Sequence, residues 1–244
     1  MWWYNWISSK IGLRALLFPD GGVADWFVTL SLLGCVIVGY LLGSINSAII
    51  TSKKLYGKDI RSFGSGNAGL TNMLRVFGKK AALWTLAGDM LKSVLAVLFG
   101  ALICYSSEEG AYLAGLFCVL GHIAPIYYRF KGGKGVLSSA TMILILDPVV
   151  FLLLILTFAL VLFIFRYVSL GSVLAAFLYP AYVYLIETAI MHQMPGFFKM
   201  LFSVVLAFMV IFMHRSNIAR LANGTENRFS FKSKPKKDED DEDE

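Results

Sequence analysis

The chain has 244 residues, of which 57% are hydrophobic and only 16% are charged. Soluble domains average about 45–50% apolar and about 25% charged residues, so this composition excludes a disordered chain and argues against an ordinary water-soluble enzyme. The formal net charge of +6 does not indicate nucleic-acid binding, because the basic residues lie in clusters between long apolar runs. That distribution is typical of a membrane protein with several spans, whose Lys and Arg residues mark the cytoplasmic loops.

The apolar runs predict seven membrane segments. A spanning helix needs about 20 apolar residues, because each residue rises about 1.5 Å against a hydrocarbon core of about 30 Å. The run over residues 136–165 is too long for one crossing, and Asp147-Pro148 interrupts it, since proline lacks a helix donor and disfavours helix in the residue before it. We therefore predict the segments 26–50, 81–105, 111–128, 136–146, 149–165, 170–190 and 197–213.

Charges in the connections predict the orientation of these segments. The connection 51–80 carries seven Lys and Arg residues, whereas 106–110 carries none. The first is therefore predicted to be cytoplasmic and the second external. Lys134 and Arg166 both mark cytoplasmic loops, so two crossings with an external turn at Asp147 must lie between them. The predicted fold is an all-α polytopic integral membrane protein of about seven transmembrane helices, with the N-terminus outside and the C-terminus inside.

Three regions follow from this pattern. Residues 1–25 are predicted to form an N-terminal external segment, and residues 26–229 a single membrane domain. Residues 230–244 are predicted to be a disordered cytoplasmic tail, basic and then acidic, because its last seven residues, from Asp238 to Glu244, are all carboxylates that repel one another.

Three polar clusters fall on the predicted cytoplasmic side. The first, FGSGNAGLTNMLR at residues 63–75, combines glycines with small polar side chains. Glycines let backbone amides approach a ligand, and the start of a following helix favours an anion. An arginine fork is suited to phosphate. A glycine-rich turn with ordinary caps is the alternative. The candidate phosphate-binding residues are Gly64, Ser65, Gly66, Asn67, Gly69, Thr71, Asn72 and Arg75.

The second cluster is GHIAP at residues 121–125, which contains His122, followed by FKGGKGV at residues 130–136. Its Lys-Gly-Gly-Lys-Gly core offers flexible amides and two ammonium groups. The spacing of a nucleotide-binding P-loop is absent, so ATP hydrolysis gains no support. A basic loop that attracts anionic lipid headgroups would explain the lysines but not the glycines. The candidate residues are Lys131, Gly132, Gly133, Lys134 and Gly135.

The third cluster, HRSNIARLANGTE at residues 214–226, contributes His214, Asn217 and Glu226. It crosses from the end of the last span into a predicted short helix that ends at Asn223-Gly224. Alternatively, a histidine at a membrane boundary can have no role beyond placing its polar ring in the interface.

Asp89 and Lys92 lie at i and i+3 within the second predicted span. Ionisable residues inside a membrane face the bundle interior or water and pair with each other. Lys92 could contact an anion, or the two residues could form a buried supporting ion pair. No zinc-binding pair, dinucleotide loop or nucleophile elbow is present, so no metal and no cofactor are predicted.

Five pieces of the sequence, in this order and spacing, resemble the bacterial acyl-phosphate:glycerol-3-phosphate acyltransferase family. They are GSINSA at 43–48, FGSGNAGLTNMLR at 63–75, GHIAP with FKGGKGV at 121–136, RYVSLGS at 166–172 and HRSNIARLANGTE at 214–226. The resemblance covers about residues 27–229. It implies a multi-pass enzyme of the bacterial inner membrane, with its active site facing the cytoplasm. Such an enzyme transfers an acyl group from a fatty acyl phosphate to the sn-1 hydroxyl of glycerol 3-phosphate and releases phosphate and lysophosphatidic acid, in the first acylation of phospholipid synthesis.

The resemblance also implies roles for single residues. It places residues 65–75 on the family's phosphate-binding first motif, Lys134 with Lys131 and the intervening glycines on the second, and residues 214–226 on the third. We expect direct transfer, in which Ser65, Thr71 and loop amides hold the donor phosphate. Glycerol 3-phosphate is expected to be held by Lys134, Arg75 and His214. The supporting residues are expected to be Asp89, Lys92, His122, Asn217 and Glu226.

Two other functions compete with this expectation. A transporter of anions or phosphate compounds would explain basic loops on one side, but transporters usually carry internal repeats and polar residues at the membrane midplane. A scaffold that binds anionic lipid would need the lysines but not the pattern of glycine, asparagine and threonine.

Overall fold

The computed structural model describes residues 17, 25–104 and 107–229, and within these ranges the chain is helical without a β-strand. The predicted tail at 230–244, and the predicted segment 1–25 except residues 17 and 25, lie outside the described residues. The α-helices of the described part are α1 (Asp25–Ser44), α2 (Ser47–Tyr56), α3 (Leu70–Ile103), α4 (Ser107–Ile123), α5 (Val136–Leu146), α6 (Pro148–Phe165), α7 (Val168–Leu185), α8 (Phe197–Met213) and α9 (Arg215–Ala222).

Each of the seven predicted apolar segments overlaps at least one of these helices. In the described part of the chain, five helical stretches are long and apolar enough to cross a membrane, and α8 with α9, bent by 57°, makes a sixth if the pair counts as one span. Helix α5 has 11 residues, or about 17 Å, which is short for a hydrocarbon core of about 30 Å. Seven full crossings and the orientation of the termini therefore stay predictions.

The first predicted span, 26–50, lies within one stretch long and apolar enough to cross a membrane, Trp26–Tyr56, and this stretch is interrupted after Ser44. Helix α1 ends at Ser44 and α2 begins at Ser47, with Asn46 in extended conformation between them. The Oδ1 of Asn46 accepts a hydrogen bond from the amide of Ile49 at 3.0 Å and so caps α2. The break frees backbone carbonyls inside the bundle, and the Lys92 ammonium group donates to two of them, those of Gly43 and Ile45.

Helix α3 begins at Leu70, eleven residues before the predicted start of the second span. Thr71 and Asn72 lie in its first turn, as the sequence predicted. The helical stretch is kinked at Gly78, where the backbone is non-helical, with a φ of 81° and a ψ of −170°, a conformation that glycine adopts readily. The start of α3 therefore projects beyond the apolar part of the helix and carries the first polar cluster.

Small residues bring α1 and α4 close together. A Cβ atom at Gly39 would overlap the carbonyl of Ala114, and one at Gly43 would overlap the carbonyl of Cys118. Close backbone approach through small residues is the usual way in which helices pack in membranes, where lipid competes for apolar side chains. This tight pair forms one wall of the bundle, and α3 packs against both of its helices.

The two ends of the bundle differ in charge. At one end, here called the site end, the basic connections meet: Arg61 reaches the carbonyls of Tyr128 and Lys131, and the amide of Phe229 donates to the carbonyl of Arg166 at 2.6 Å. The opposite end, here called the far end, holds a buried charge cluster. Lys199 contacts Asp147 and also Glu187 at 2.6 Å, and the Tyr112 hydroxyl donates to Asp147 Oδ2 at 2.5 Å.

Candidate active site

A cavity of about 400 Å³ enters the bundle from the site end. This volume lies in the range of pockets that bind small molecules. Its walls come from helices α3 to α9, with His122 as the contribution of α4, and from the loops before α3, before α5 and after α9. The polar part is lined by Ser65, Asn67, Gly69, Thr71, Asn72, Arg75, Asp89, His122, Lys134, Gly135, Ser139, Ser169, Ser172, His214, Asn217, Arg220, Glu226 and Asn227. The apolar part is lined by Ile143, Phe151, Leu154, Ile155, Phe158, Ala175, Ala176, Tyr179, Leu206, Ala207 and Val210, among others.

The first motif forms a closed loop that Asn72 holds in shape. The Oδ1 of Asn72 accepts from the amide of Ser65 at 3.0 Å, and its Nδ2 donates to the carbonyls of Phe63 and Asn67, both at 3.0 Å. Asn72 lines the cavity, yet its side-chain amide is engaged by the loop. Within the described residues no side chain caps α3, so the first amides of that helix remain available to an anion at the cavity.

The glycines of the second motif pack their loop against α4. The amide of Gly133 donates to the carbonyl of His122 at 3.0 Å, and that of Gly132 to the carbonyl of Ile123 at 3.1 Å. A Cβ atom at Gly133 would overlap the His122 ring, so the loop could not lie so close. This contact directs Lys134 into the cavity.

Some predicted phosphate-binding residues lie away from the cavity. In the described part of the chain, its lining does not include Gly64, Gly66, Lys131, Gly132 or Gly133. Gly64 and Gly66 have positive φ angles of 59° and 71°, which fit a tight turn. Phosphate binding by these five residues stays a prediction, whereas their backbone geometry explains why the two loops fold as they do.

Arg61 joins the first and second loops, a role that its place in the sequence did not indicate. Its Nη1 donates to the carbonyls of Tyr128 at 3.1 Å and Lys131 at 3.2 Å. Its Nη2 lies 2.7 Å from Asp59 Oδ2. Hydrogen bonding to the Arg61 guanidinium holds the pKa of Asp59 well below its usual range. These contacts of Arg61, which lies outside the cavity lining, hold the first and second loops at a fixed separation.

The third motif supplies a connected hydrogen-bond network around Glu226. Its Oε1 accepts from Asn217 Nδ2 at 2.7 Å and from Ser169 Oγ at 2.9 Å, and its Oε2 accepts from Arg220 Nε at 2.8 Å. Burial opposes ionisation, but the three hydrogen bonds together lower the pKa of Glu226. Glu226 is therefore a fixed carboxylate that orients Asn217 and Arg220.

Lys134 connects the second motif to the third, because its Nζ donates to the Oδ1 of Asn217. Burial lowers the pKa of Lys134 to about 8; Glu226 opposes this shift, and the cationic Arg220 and Arg75 add to it. Three cations thus face one polar cavity, and its two lining carboxylates, Asp89 and Glu226, are each engaged in an ion pair, with Lys92 and with Arg220. Such a site attracts anionic groups with more than one negative charge.

His214 lines the cavity at the junction of α8 and α9 and is only 3% exposed. Its Nδ1 lies 2.8 Å from the carbonyl of Val210. A carbonyl can only accept, so Nδ1 carries the proton in this contact. In the neutral ring, Nε2 is then an acceptor that can receive a hydrogen bond from a substrate hydroxyl.

Lys92 is saturated by contacts beneath the cavity. Its Nζ lies 3.0 Å from Asp89 Oδ1, 2.9 Å from His122 Nδ1, and 3.0 and 2.8 Å from the carbonyls of Gly43 and Ile45. Asp89 and His122 reach the cavity wall, whereas Lys92 does not. Of the two predicted roles, these contacts favour the supporting ion pair, which also stabilises the break between α1 and α2.

Five polar lining residues were not among the site residues predicted from the sequence. They are Ser139, Ser169, Ser172, Arg220 and Asn227. Ser169 and Ser172 are three residues apart in the RYVSLGS piece, so they share a face at the start of α7, and Arg220 belongs to the third polar cluster. The spacing of Ser169 and Ser172 and the place of Arg220 in the third cluster are the sequence signals that could have identified these three residues. Within residues 25–104 and 107–229, no three His, Cys, Asp or Glu side chains are arranged to hold a metal ion.

Comparison with known proteins gives a consistent result. Residues 33–224 match the family described as glycerol-3-phosphate acyltransferase. A glycerol-3-phosphate acyltransferase of Exiguobacterium sibiricum is 43% identical over 214 residues, covering 86% of this chain and 100% of that protein. One from a Thermoanaerobacter species is 40% identical over 200 residues, covering 82% and 96%.

Two solved structures are also similar, both of PlsY (YgiH), an integral membrane glycerol 3-phosphate acyltransferase. The glycerol 3-phosphate form aligns with a TM-score of 0.73 at 34% identity, covering 82% of this chain and 96% of that chain. The lysophosphatidic acid form aligns with a TM-score of 0.70 at 33% identity and the same coverage.

Proposed function

This chain belongs to the glycerol-3-phosphate acyltransferase family, as an integral membrane acyltransferase, and from this premise we propose that its acyl donor is a fatty acyl phosphate. The acyl group passes to the sn-1 hydroxyl of glycerol 3-phosphate. The hydroxyl oxygen bonds to the acyl carbon, the bond from that carbon to the phosphate oxygen breaks, and the hydroxyl proton ends on the released phosphate. The other product is 1-acyl-glycerol 3-phosphate, or lysophosphatidic acid.

The observation that carries this proposal is the amphipathic cavity. Its mouth gathers Arg75, Lys134 and Arg220, and its interior is lined by aliphatic and aromatic side chains. A fatty acyl phosphate likewise has a polar and an apolar part, with an anionic group at one end and an alkyl chain at the other. The polar mouth also has enough cationic groups for a second phosphate, which glycerol 3-phosphate would bring.

The residues divide between the two substrates in this proposal. Ser65, Thr71 and the first amides of α3 hold the donor phosphate, because the helix N-terminus favours an anion. Arg75 and Lys134 hold the phosphate of glycerol 3-phosphate, with Arg220 added to the predicted set. His214 Nε2 accepts from a glycerol hydroxyl.

Positioning and charge stabilisation are sufficient for this chemistry. An acyl phosphate is already activated, so placing the hydroxyl against the acyl carbon supplies much of the rate enhancement. Negative charge moves onto the leaving phosphate in the transition state, where fixed cations and amides stabilise it. The proposed transfer is therefore direct, without an acyl-enzyme intermediate.

The proposed location is the bacterial inner membrane, with the cavity mouth facing the cytoplasm. The basic connections gather at the site end, as the positive-inside rule expects of a cytoplasmic face. We infer seven segments, with α5 as a short one that turns at Asp147. The transport alternative is not favoured, because the cavity ends inside the bundle, against the buried residues around Tyr179.

A comparison of donors tests the proposal. Purified protein in detergent is supplied with glycerol 3-phosphate and, separately, with palmitoyl phosphate, palmitoyl-CoA or palmitoyl-acyl carrier protein. Lysophosphatidic acid is expected from palmitoyl phosphate alone, with an equal amount of inorganic phosphate. Comparable turnover with palmitoyl-CoA would contradict the proposed donor while leaving the family assignment intact.

A further inference from the structure

The apolar part of the cavity follows one face of α7. Its lining residues on that helix are Val168, Ser169, Ser172, Ala175, Ala176 and Tyr179, which recur at spacings of three and four and so lie on the same side. From Ser169 to Tyr179 the helix rises about 15 Å. A carbon–carbon bond is about 1.5 Å long and advances an extended chain by somewhat less, so this distance takes on the order of a dozen bonds.

Small side chains keep the middle of this path open. Ala140, Ala175, Ala176 and Ala207 line it from three different helices. Each of these side chains is a single methyl group, so an acyl chain can pass close to the helix backbone. A larger side chain there would fill the path before its end.

The path ends at Tyr179, together with Ile143 and Leu206. Tyr179 is 2% exposed and is the largest of the fully buried side chains in the described part of the chain. Further along the same helix face, Val183 belongs to the packed core and does not line the cavity. The hydroxyl of Tyr179 has no hydrogen-bond partner among the described residues, so packing alone holds the ring.

The residues behind Tyr179 are firmly held. Phe202 belongs to the same buried cluster as Tyr179, and its ring packs against that of Tyr112 with centroids 4.9 Å apart. Tyr112 in turn donates to Asp147, which Lys199 also contacts. The far-end charge cluster thus holds Tyr112 and Phe202 in place behind Tyr179. A close-packed interior of this kind accommodates an added methylene poorly.

We propose that Tyr179 sets the upper limit of acyl-chain length, an inference that rests on the proposed binding of the donor's acyl chain in this cavity. A chain that fits ends against the tyrosine ring. A longer chain must bend or leave its last carbons outside the cavity. Tyr179 is therefore a specificity-determining residue, and it acts far from the reacting phosphate.

The test measures kcat/KM for decanoyl, lauroyl, myristoyl, palmitoyl and stearoyl phosphate with glycerol 3-phosphate held constant. Tyr179→Ala is expected to raise the ratio of the longer to the shorter donors by roughly tenfold, the effect of burying about two more methylenes. Ala176→Phe, which fills the path above the end wall, is expected to change the ratio in the opposite direction. Tyr179→Phe keeps the ring and is expected to keep the wild-type ratio.

Phe177→Ala is the matched control, because Phe177 lies on the same helix but is 67% exposed and does not line the cavity. A wild-type chain-length profile in folded Tyr179→Ala would overturn the inference, whatever the result for Ala176→Phe. If Tyr179→Ala does not fold, Ala176→Phe and the smaller Ala176→Val decide the question. Failure of the wild-type protein to use any acyl phosphate would instead count against the proposed donor.

Discussion

Lys134 donates a hydrogen bond to Asn217 across 83 residues of sequence and so joins the glycine-rich loop after α4 to the helix after α8. Asn217 passes the connection on to Glu226 at 2.7 Å. The loop that carries Lys134 is itself fixed to α4 through Gly133 and His122. The position of the Lys134 ammonium group therefore depends on both halves of the chain.

The first prediction concerns pH. Lys134 has a pKa of about 8, so the free enzyme loses this cation as the pH rises through 8. Binding of glycerol 3-phosphate needs the cation in our proposal, so kcat/KM for glycerol 3-phosphate is expected to fall about tenfold for each pH unit above 8. Initial rates between pH 6.5 and about 9.5 would measure this.

Lys134→Arg serves as the control for that profile, because an arginine keeps its charge throughout this range. Its activity is expected to be lower, since the fork geometry differs, but the fall near pH 8 should disappear. A descending limb that is unchanged in Lys134→Arg would mean that another group titrates.

The second prediction concerns the close approach of Gly133 to α4. In Gly133→Ala the added methyl group would overlap the His122 ring, so the loop must move and carry Lys134 with it. Displacement by about 1 Å can cost roughly 10²-fold in rate, and we expect a fall of that size in kcat/KM. Gly196→Ala is the matched control, because a Cβ atom there meets nothing within 4 Å. Equal activity of the two variants would contradict the role of this contact.

The third prediction concerns stability at the far end. Lys199 is 6% exposed and neutralises the carboxylates of Asp147 and Glu187. Lys199→Met leaves two buried negative charges without their cation, which is expected to cost about 3–5 kcal/mol. Thermal unfolding in detergent should show a clear fall in Tm, while KM for glycerol 3-phosphate is unchanged because the site end is remote. Lys54→Met, at an exposed lysine, should unfold like the wild type; equal stability of the two variants would show that the cluster contributes little.

The fourth prediction concerns orientation. Cys35, Cys104 and Cys118 are buried, so an introduced surface cysteine can be labelled selectively. In intact cells a membrane-impermeant maleimide is expected to label Met194→Cys at the far end. Lys54→Cys at the site end should be labelled only after the cells are permeabilised. The reverse pattern would place the cavity mouth outside and contradict the inferred topology.

Much of the helical framework could be predicted from the apolar pattern. The predicted segments 136–146 and 197–213 coincide with α5 and α8, because glycine or proline punctuates their boundaries. The break after Ser44 could not be predicted, since apolar residues continue across it and its carbonyls are satisfied by Lys92 from a different helix. The predicted span 81–105 leaves out the first turns of α3, because residues 70–80 are too polar to count toward a span, although the start of a helix near Thr71 was expected.

The polar half of the site was also predictable in outline. Glycine, lysine, arginine and asparagine near a membrane boundary indicate an anion site, and Lys134 and Arg75 do meet in one cavity. The apolar half could not be predicted, because an alanine that lines a groove has the same pattern as one that faces lipid or core. The contact of Lys199 with Asp147 and Glu187 depends on tertiary packing that connects three separate parts of the sequence.

The role of Lys134 in turnover can be measured with the Lys134→Ala variant. Wild-type protein and the variant, matched by gel filtration and thermal unfolding, are each supplied with palmitoyl phosphate and glycerol 3-phosphate. The wild type is expected to release lysophosphatidic acid and inorganic phosphate in equal amounts, and the folded variant to release neither above background. Full activity in Lys134→Ala would contradict the proposal that this cavity binds both phosphates and brings the acyl group to glycerol 3-phosphate.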